Sequence, residues 1–155
     1  MYNEHVTGRW RVLWVCPIIL AVACGCAPTQ TYPGPALPRS EVALLTDTSN
    51  ASVLAIDGAP ASGMSWTLLP GSHDALLHVR VFTQVPNVEV TIWAYCRVRF
   101  IAVAGEEYSS RVRIRKEVAP GLSEQVKMEV GIANAAGALQ AVAHSCSPNR
   151  PRLKH

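Results

Sequence analysis

Cysteine is the residue type of this chain whose positions most directly indicate chemistry. The sequence holds five cysteines, and two of them, Cys24 and Cys26, close an apolar run over residues 12–23 that two arginines precede. A basic start, a short apolar core and small residues before a cysteine are typical of a bacterial lipoprotein signal peptide. In that chemistry the cysteine thiol is acylated and the peptide before it is removed. Gly25 favours Cys26 as the lipidated residue, and Cys24 is the alternative.

The apolar run is too short for a membrane-spanning helix. It covers about a dozen residues, whereas a span needs roughly 20, and Pro17 interrupts it. We therefore predict a cleaved signal peptide over residues 1–25, with an uncleaved N-terminal anchor helix as the alternative. The residue after either cysteine is not aspartate, which predicts a palmitate-bearing lipoprotein of the outer membrane that faces the periplasm.

Cys96 and Cys146 form the remaining candidate pair. Cys16 and Cys24 would leave with the signal peptide if Cys26 is the lipid acceptor, so two cysteines would remain in an oxidising compartment where disulfides persist. The sequence therefore predicts a disulfide between Cys96 and Cys146. The alternative is two unpaired thiols in the core, since free cysteine packs well there.

Histidine and serine positions predict no catalytic centre and no metal site. His73 and His78 lie five residues apart, which places them on opposite faces of a straight strand and gives poor geometry for a shared metal. His73 is instead expected to order a turn or to start the next strand. Ser65 lacks the second glycine of a nucleophile elbow, and the chain has neither a glycine-rich phosphate loop nor a CxxC pair. We therefore expect no enzyme activity and no cofactor.

The charge of the chain argues against nucleic-acid binding. Charged residues make up 16% of the sequence and the formal net charge is +3, whereas nucleic-acid binders carry a basic stripe and a much higher isoelectric point. The basic residues within 111–116 alternate with apolar ones and are typical of the solvated face of a strand. Residues 148–155 are predicted to be a disordered basic tail.

The elements that must position these residues are predicted to be strands. Residues 26–40 hold four prolines and are expected to form a stiff tether with neither helix nor strand. From residue 41 to residue 147 the pattern predicts one domain of short strands bounded by turn residues. The predicted strands cover residues 42–45, 52–56, 66–69, 76–84, 88–102, 107–116, 125–132 and 139–145. Short connections between about seven to eight strands predict a single all-β domain, an antiparallel β-sandwich or a partly open barrel. The alanine-rich residues 131–143 could form a short helix instead.

The clearest strand is predicted over residues 88–102. Apolar residues occupy every second position there, and Cys96 lies among them on the face that meets the core. Trp93 and Tyr95 lie on the opposite, otherwise polar face. Aromatic side chains on such a face can form a platform for a sugar or a peptide, so these two residues are the candidate binding patch. The alternative is a second small core beneath a loop.

Several short motifs occur in a fixed order between residues 26 and 145. They are Tyr32-Pro33-Gly34-Pro35-Ala36-Leu37-Pro38, Val42-Ala43-Leu44-Leu45, Ile56-Asp57-Gly58, Leu68-Leu69-Pro70-Gly71-Ser72-His73 and Ala104-Gly105-Glu106-Glu107-Tyr108. In this order the motifs resemble a family of small proteobacterial lipoproteins that has no characterised activity. The resemblance implies a β domain of the cell envelope and no catalytic role.

Together these features predict a lipid-anchored envelope protein with a non-catalytic structural or partner-binding β domain. Its expected partners are the membrane, through the N-terminal lipid, and an envelope protein or glycan. Nucleic acid is not an expected partner. A periplasmic ligand-binding protein or hydrolase, with a site that the sequence does not reveal, is the alternative.

Overall fold

The computed structural model of this chain describes residues 27–85, 88–117 and 125–149. The predicted signal peptide, with Cys24 and Cys26, lies outside the described residues, as does the predicted tail from residue 150 onward. The described part contains one 3-10 turn, Arg39–Glu41, and eleven strands. The strands are β1 (Thr29–Gln30), β2 (Ala43–Thr46), β3 (Ala51–Ile56), β4 (Ala59–Pro60), β5 (Ser65–Leu68), β6 (Gly71–Val85), β7 (Val88–Ala102), β8 (Glu107–Glu117), β9 (Gln125–Asn134), β10 (Leu139–Val142) and β11 (Ser145–Ser147).

The strands form two sheets that pack face to face. One sheet has six strands in the order β1-β5-β2-β8-β9-β10, and the other has five in the order β11-β7-β6-β3-β4. Apolar side chains of both sheets fill the space between them, with Trp66, Leu45 and Leu68 of one sheet and Leu77 of the other fully buried. The all-β sandwich is thus confirmed, and the sheets do not close into a barrel.

Two neighbouring pairs depart from the predicted antiparallel arrangement. β1 runs parallel to β5, and β2 runs parallel to β8. In each case the paired strands are far apart in the sequence, as parallel pairing requires a long connection. Local alternation and turn residues carry no information about such distant pairing.

β6 and β7 form the longest hairpin among the described residues. They are in register from Gly71 opposite Ala102 to Val85 opposite Val88. The predicted alternation of residues 88–102 is confirmed where side chains are described, because Ala94, Cys96 and Val98 are buried. β6 begins at Gly71 and not at residue 76 as predicted, since β7 offers it a hydrogen-bonding partner along its whole length.

The predicted last strand is divided between the two sheets. β10 pairs with β9 in one sheet, and β11 pairs with β7 in the other, so the chain crosses the sandwich at residues 143–144. The alanine-rich segment forms strands and a turn, not a helix. β9 and β10 approach so closely that a Cβ added at Gly131 would overlap the carbonyl oxygen of Ala141, and only glycine fits there.

The crossing brings the predicted cysteine pair together. Cys146 of β11 lies directly opposite Cys96 of β7, and the two are joined by a disulfide with their Cα atoms 4.1 Å apart. The predicted disulfide is confirmed. It fastens the three-residue edge strand β11 to the core strand β7.

The proline-rich segment is packed on the domain along part of its length, which differs from the expectation of a tether without strand. Thr29 and Gln30 pair with Trp66 and Thr67 of β5. The Gln30 side-chain amide donates to the carbonyl oxygens of Tyr32 and Gly34, at 2.6 and 2.8 Å. These bonds satisfy the backbone where the prolines that follow end the strand.

Both long hairpins extend beyond the rest of the sandwich. β3 pairs with β6 only as far as Val79, and β11 covers only residues 95–97 of β7. On the other sheet, β2 pairs with β8 only as far as Ser109, and β10 covers residues 131–133 of β9. Residues 80–85 with 88–93 form the first distal hairpin, and residues 112–117 with 125–130 form the second.

Ser110 joins the two sheets where the distal hairpins begin. Its hydroxyl donates to the carbonyl oxygen of Ala51 on the opposite sheet and accepts from the Thr48 N–H at 3.0 Å. The Thr48 hydroxyl donates in turn to the Ser110 carbonyl oxygen at 2.8 Å. Ser110 is the one buried polar side chain of the described core, and these bonds satisfy it.

Candidate binding surface

The outer face of the five-stranded sheet carries a row of aromatic and basic side chains. Alternation along β6 buries Leu77, Val79 and Val81 and turns His78, Arg80 and Phe82 outward. β7 lies beside β6 with Tyr95 opposite His78, Trp93 opposite Arg80, and Thr91 opposite Phe82. The aromatic face consists of these six outward residues, His78, Arg80, Phe82, Thr91, Trp93 and Tyr95.

The aromatic residues of this face differ in exposure. Trp93 is 66% exposed and Phe82 is 57% exposed. Tyr95 is half-buried and stacks on the His78 ring, with the ring centroids 4.9 Å apart and the planes at 23°. Of the two residues predicted as a binding patch, Trp93 therefore presents its ring to solvent, and Tyr95 mainly supports the face.

A shallow groove runs beside Trp93. It has a volume of about 400 Å³ and is lined by His78, Arg80, Thr91 and Trp93. Its walls combine aromatic rings, a guanidinium and a hydroxyl, so it can contact an apolar or planar group and an anionic one at the same time.

Arg80 supplies the charge of the face. Its guanidinium carbon lies 4.7 Å from the centre of the Phe82 ring, a cation–π arrangement. Within the part of the chain that the structure describes, no carboxylate forms an ion pair with Arg80. Asp74, farther along the same face, pairs instead with Arg97 and Arg99, at 3.5 and 3.8 Å. Arg80 is therefore the exposed basic side chain that lies opposite Trp93 and beside Phe82.

Sequence reasoning missed Phe82 as a member of this surface. Phe82 follows His78 and Arg80 at the same two-residue period, so the alternation that turns those residues outward also turns Phe82 outward. The signal was present in the pattern. An exposed phenylalanine contradicts the usual preference of that residue for the interior, which is what makes it informative.

His73 orders a turn, as predicted. Its Nδ1 lies 2.7 Å from Oδ2 of Asp57, and its Nε2 lies 2.8 Å from the carbonyl oxygen of Leu69. The other carboxylate oxygen of Asp57 accepts from the Asp74 N–H at 2.9 Å. Asp57 itself has a φ of 52°, in the left-handed region that aspartate tolerates in tight turns.

This histidine is not arranged like the base of a hydrolase. A catalytic triad needs one ring nitrogen on a carboxylate and the other on a nucleophilic hydroxyl. Here the second nitrogen meets a backbone carbonyl, which can only accept a hydrogen bond. His78 lies on the opposite face of β6, as predicted, and stacks on Tyr95. Ser65 is half-buried in β5.

An acidic side chain at the start of β8 also has a structural partner. Glu107 pairs with Arg39 at 2.9 Å, and both side chains are exposed. Within residues 27–85, 88–117 and 125–149, no group of three histidine, cysteine or acidic side chains could hold a metal ion. The same ranges contain no helix long and apolar enough to cross a membrane.

A second cleft, of about 240 Å³, lies where the proline-rich segment meets β4. Thr29 and Trp66 line it, and both side chains donate to the carbonyl oxygen of Ser62, at 3.1 and 3.0 Å. Their polar groups are therefore engaged in holding β1 and β5 to the loop before β5. The cleft is a packing feature of the segment and not a cluster of reactive groups.

By its fold and its surface, the described domain is an all-β sandwich whose five-stranded sheet carries an exposed aromatic and basic face. A comparison with protein-family models, with curated proteins and with solved structures finds no match. The resemblance to small lipoproteins stays a prediction.

Proposed function

We propose that this protein is a lipid-anchored envelope protein of the outer membrane whose β domain binds a partner and catalyses no reaction. The anchor is supported by the basic, apolar and small-residue pattern that ends at Cys26, or at Cys24 as the alternative. The disulfide between Cys96 and Cys146 is compatible with an oxidising compartment. The binding role is supported by the aromatic face.

The exposure of Trp93 and Phe82 is the observation that carries the binding role. The two rings are 66% and 57% exposed on the same face of the sheet, and large apolar side chains exposed on one face are typical of interaction surfaces. With roughly 200 Å² per aromatic side chain, about 250 Å² remains to be covered. Covering it would contribute about 6 kcal/mol before the cost of association.

The environment of His73 supports the non-catalytic part of the proposal. Asp57 and the Leu69 carbonyl hold both ring nitrogens, so the histidine stabilises a turn instead of facing a nucleophile. The aromatic face offers stacking and charge, which are means of recognition.

Site-specific photocrosslinking in the intact envelope tests the binding surface. A photoreactive phenylalanine derivative replaces Trp93, and in a matched control it replaces Ile101, which is 70% exposed and points outward from the far end of the same strand. We expect discrete adducts from position 93 that weaken when Phe82→Ala is added, and none of these adducts from position 101. The same adducts from both positions would refute a binding surface at Trp93.

The anchor is tested on the same material. The intact mass of the mature protein should correspond to a chain that begins at Cys26 and carries acyl chains, and Cys26→Ser should abolish the acylation. A mature chain that begins at Cys24 would identify the alternative acceptor. An unmodified N-terminus or an uncleaved Met1 would overturn the lipid anchor.

A further inference from the structure

We propose that the aromatic face rests on the anionic headgroup surface of the same membrane that holds the acyl anchor. This inference rests on the lipid anchor of the proposed function. The chain between the proposed anchor and the domain is short, it leaves the domain toward the distal hairpins, and the surface at that end is aromatic and basic.

The connection between anchor and domain is very short. Thr29 is already paired with β5, and it comes three residues after Cys26. Three extended residues span at most about 10 Å, and the five residues from Cys24 span about 17 Å. A bilayer that holds the acylated cysteine must therefore lie within that distance of Thr29.

The connection leaves the domain toward the distal hairpins. Thr29 lies beside Trp66, Trp66 beside Leu45, and Leu45 beside Tyr108 of β8. β1 and β2 run in opposite directions, and β2 and β8 are parallel. The chain that leads from Thr29 toward the N-terminus therefore runs in the same direction as β8 from Tyr108 to Glu117. The chain before Thr29 therefore starts out in the direction in which the hairpins extend.

The extended chain from Thr29 back to Cys26 is long enough to reach as far along the strand direction as Arg80 and Trp93. Ser110 lies two residues beyond Tyr108, which is about 7 Å farther along β8. Its hydroxyl bonds to Ala51 of the other sheet, so Ala51 lies at the same height. The carbonyl oxygen of Asn50 accepts from the Arg80 N–H at 3.1 Å, and Trp93 lies directly opposite Arg80. An acylated Cys26 at full extension thus comes to about the level of these two side chains.

The hairpins continue past that level. From Tyr108 to Glu117, β8 runs nine further residues, or about 30 Å, which exceeds the reach of the connection from either cysteine. An upright domain would push open strand edges into hydrocarbon, where unpaired backbone groups are too costly. The domain therefore tilts, and the first distal hairpin lies along the headgroup layer with the outer face of its sheet toward the lipid.

The described side chains at this end suit an anionic headgroup layer. Trp93 and Phe82 are exposed beside Arg80, and tryptophan is enriched at membrane interfaces because its ring is apolar and its N–H is polar. Basic side chains near such a surface each contribute about 1 kcal/mol to attraction by anionic lipids.

The experiment uses the natively acylated protein reconstituted into phosphatidylethanolamine vesicles with and without phosphatidylglycerol. The mature chain would retain two tryptophans, Trp66, which is 1% exposed, and Trp93. With brominated phosphatidylglycerol we expect quenching of tryptophan emission that disappears in Trp93→Phe. Trp66 serves as the internal reference, because the core shields it from lipid.

Two variants test the chemistry of the contact. Arg80→Gln in the non-acylated Cys26→Ser protein should reduce binding to phosphatidylglycerol vesicles about fivefold, the equivalent of about 1 kcal/mol. Ile101→Ala is the matched control, because Ile101 is exposed at the opposite end of β7, outside the aromatic face. This substitution should leave binding unchanged. Equal effects of the two substitutions would contradict the assignment.

The outcomes separate this inference from the proposed function. Acylated protein whose Trp93 emission is not quenched by brominated lipid overturns the membrane contact and leaves the anchor intact. Protein or glycan adducts, without lipid adducts, at position 93 would likewise assign the face to another partner. A chain without acyl groups would instead refute the anchor. Quenching that persists in Trp93→Phe also overturns the inference, because it would arise from Trp66.

Discussion

Ser110→Ala should weaken the joint between the two sheets. The serine hydroxyl donates to the Ala51 carbonyl oxygen and accepts from the Thr48 N–H, and the side chain is fully buried. Alanine removes both bonds and leaves no room for water to replace them. The core loses little volume, so the cost arises from hydrogen bonding and not from packing.

The magnitude follows from these two bonds. Each contributes about 1 kcal/mol net, and a buried partner left unpaired costs about 1–3 kcal/mol. The unpaired penalty is reduced here because the Thr48 N–H also reaches the Ala51 carbonyl oxygen, at 3.3 Å. We expect a loss of about 2 kcal/mol in the free energy of unfolding, which lowers the Tm by roughly 8 °C in a domain of this size.

Urea unfolding followed by Trp66 fluorescence measures this effect, since Trp66 is buried in the core. Ser109→Ala is the matched control, because Ser109 is the preceding residue, is half-buried, and makes no side-chain hydrogen bond within the described residues. The control should change stability by less than about 0.5 kcal/mol. If Ser110→Ala unfolds at the same urea concentration as the control, the joint contributes no net stability and the reasoning is refuted.

Two further substitutions test other parts of the sandwich. Cys146→Ser opens a disulfide that spans 50 residues and should cost about 4 kcal/mol in urea unfolding; wild type that loses no stability in reductant would contradict this. Asp47→Asn should stabilise the fold at pH 7, because burial raises the pKa of this carboxyl and the Val53 N–H lowers it only in part. The stability that the protonated group provides is present below about pH 4 and is lost as pH rises through the raised pKa. The advantage of Asp47→Asn in thermal unfolding should therefore shrink from pH 7 to pH 4, and an advantage that grows on acidification would refute the argument.

The sequence predicts the long hairpin well because its signal is local. Along residues 88–102 each inward position is apolar, and each outward position except Ile101 is polar or aromatic, so one period determines both the strand and its orientation. The turn at Asp57 is predicted for the same reason, because its residue types favour a left-handed backbone. Both features are decided by a few neighbouring residues.

Features that depend on distant partners could not be read in the same way. β1 has two residues, too few for any period, and it exists because β5 offers an open edge. The division of the last predicted strand depends on hydrogen bonds from Ala143 to Val130 and from His144 to Arg97, which belong to different sheets. His73 likewise meets its two hydrogen-bond partners only after β6 forms. These partners are the Asp57 carboxylate and the Leu69 carbonyl oxygen.

The docking of Thr29 and Gln30 changes what the candidate surface can do. On a flexible tether the domain could present any face to any partner, and Trp93 would have no defined position relative to the anchor. With β1 paired to β5, the link from the proposed lipidation site at Cys26 is shorter than the distal hairpins, so the proposed anchor would hold these hairpins close to the bilayer. The position of a single short strand therefore connects the predicted lipidation site to the exposed aromatic residues. The proposed membrane contact thus depends on both this docking and the side chains of the aromatic face.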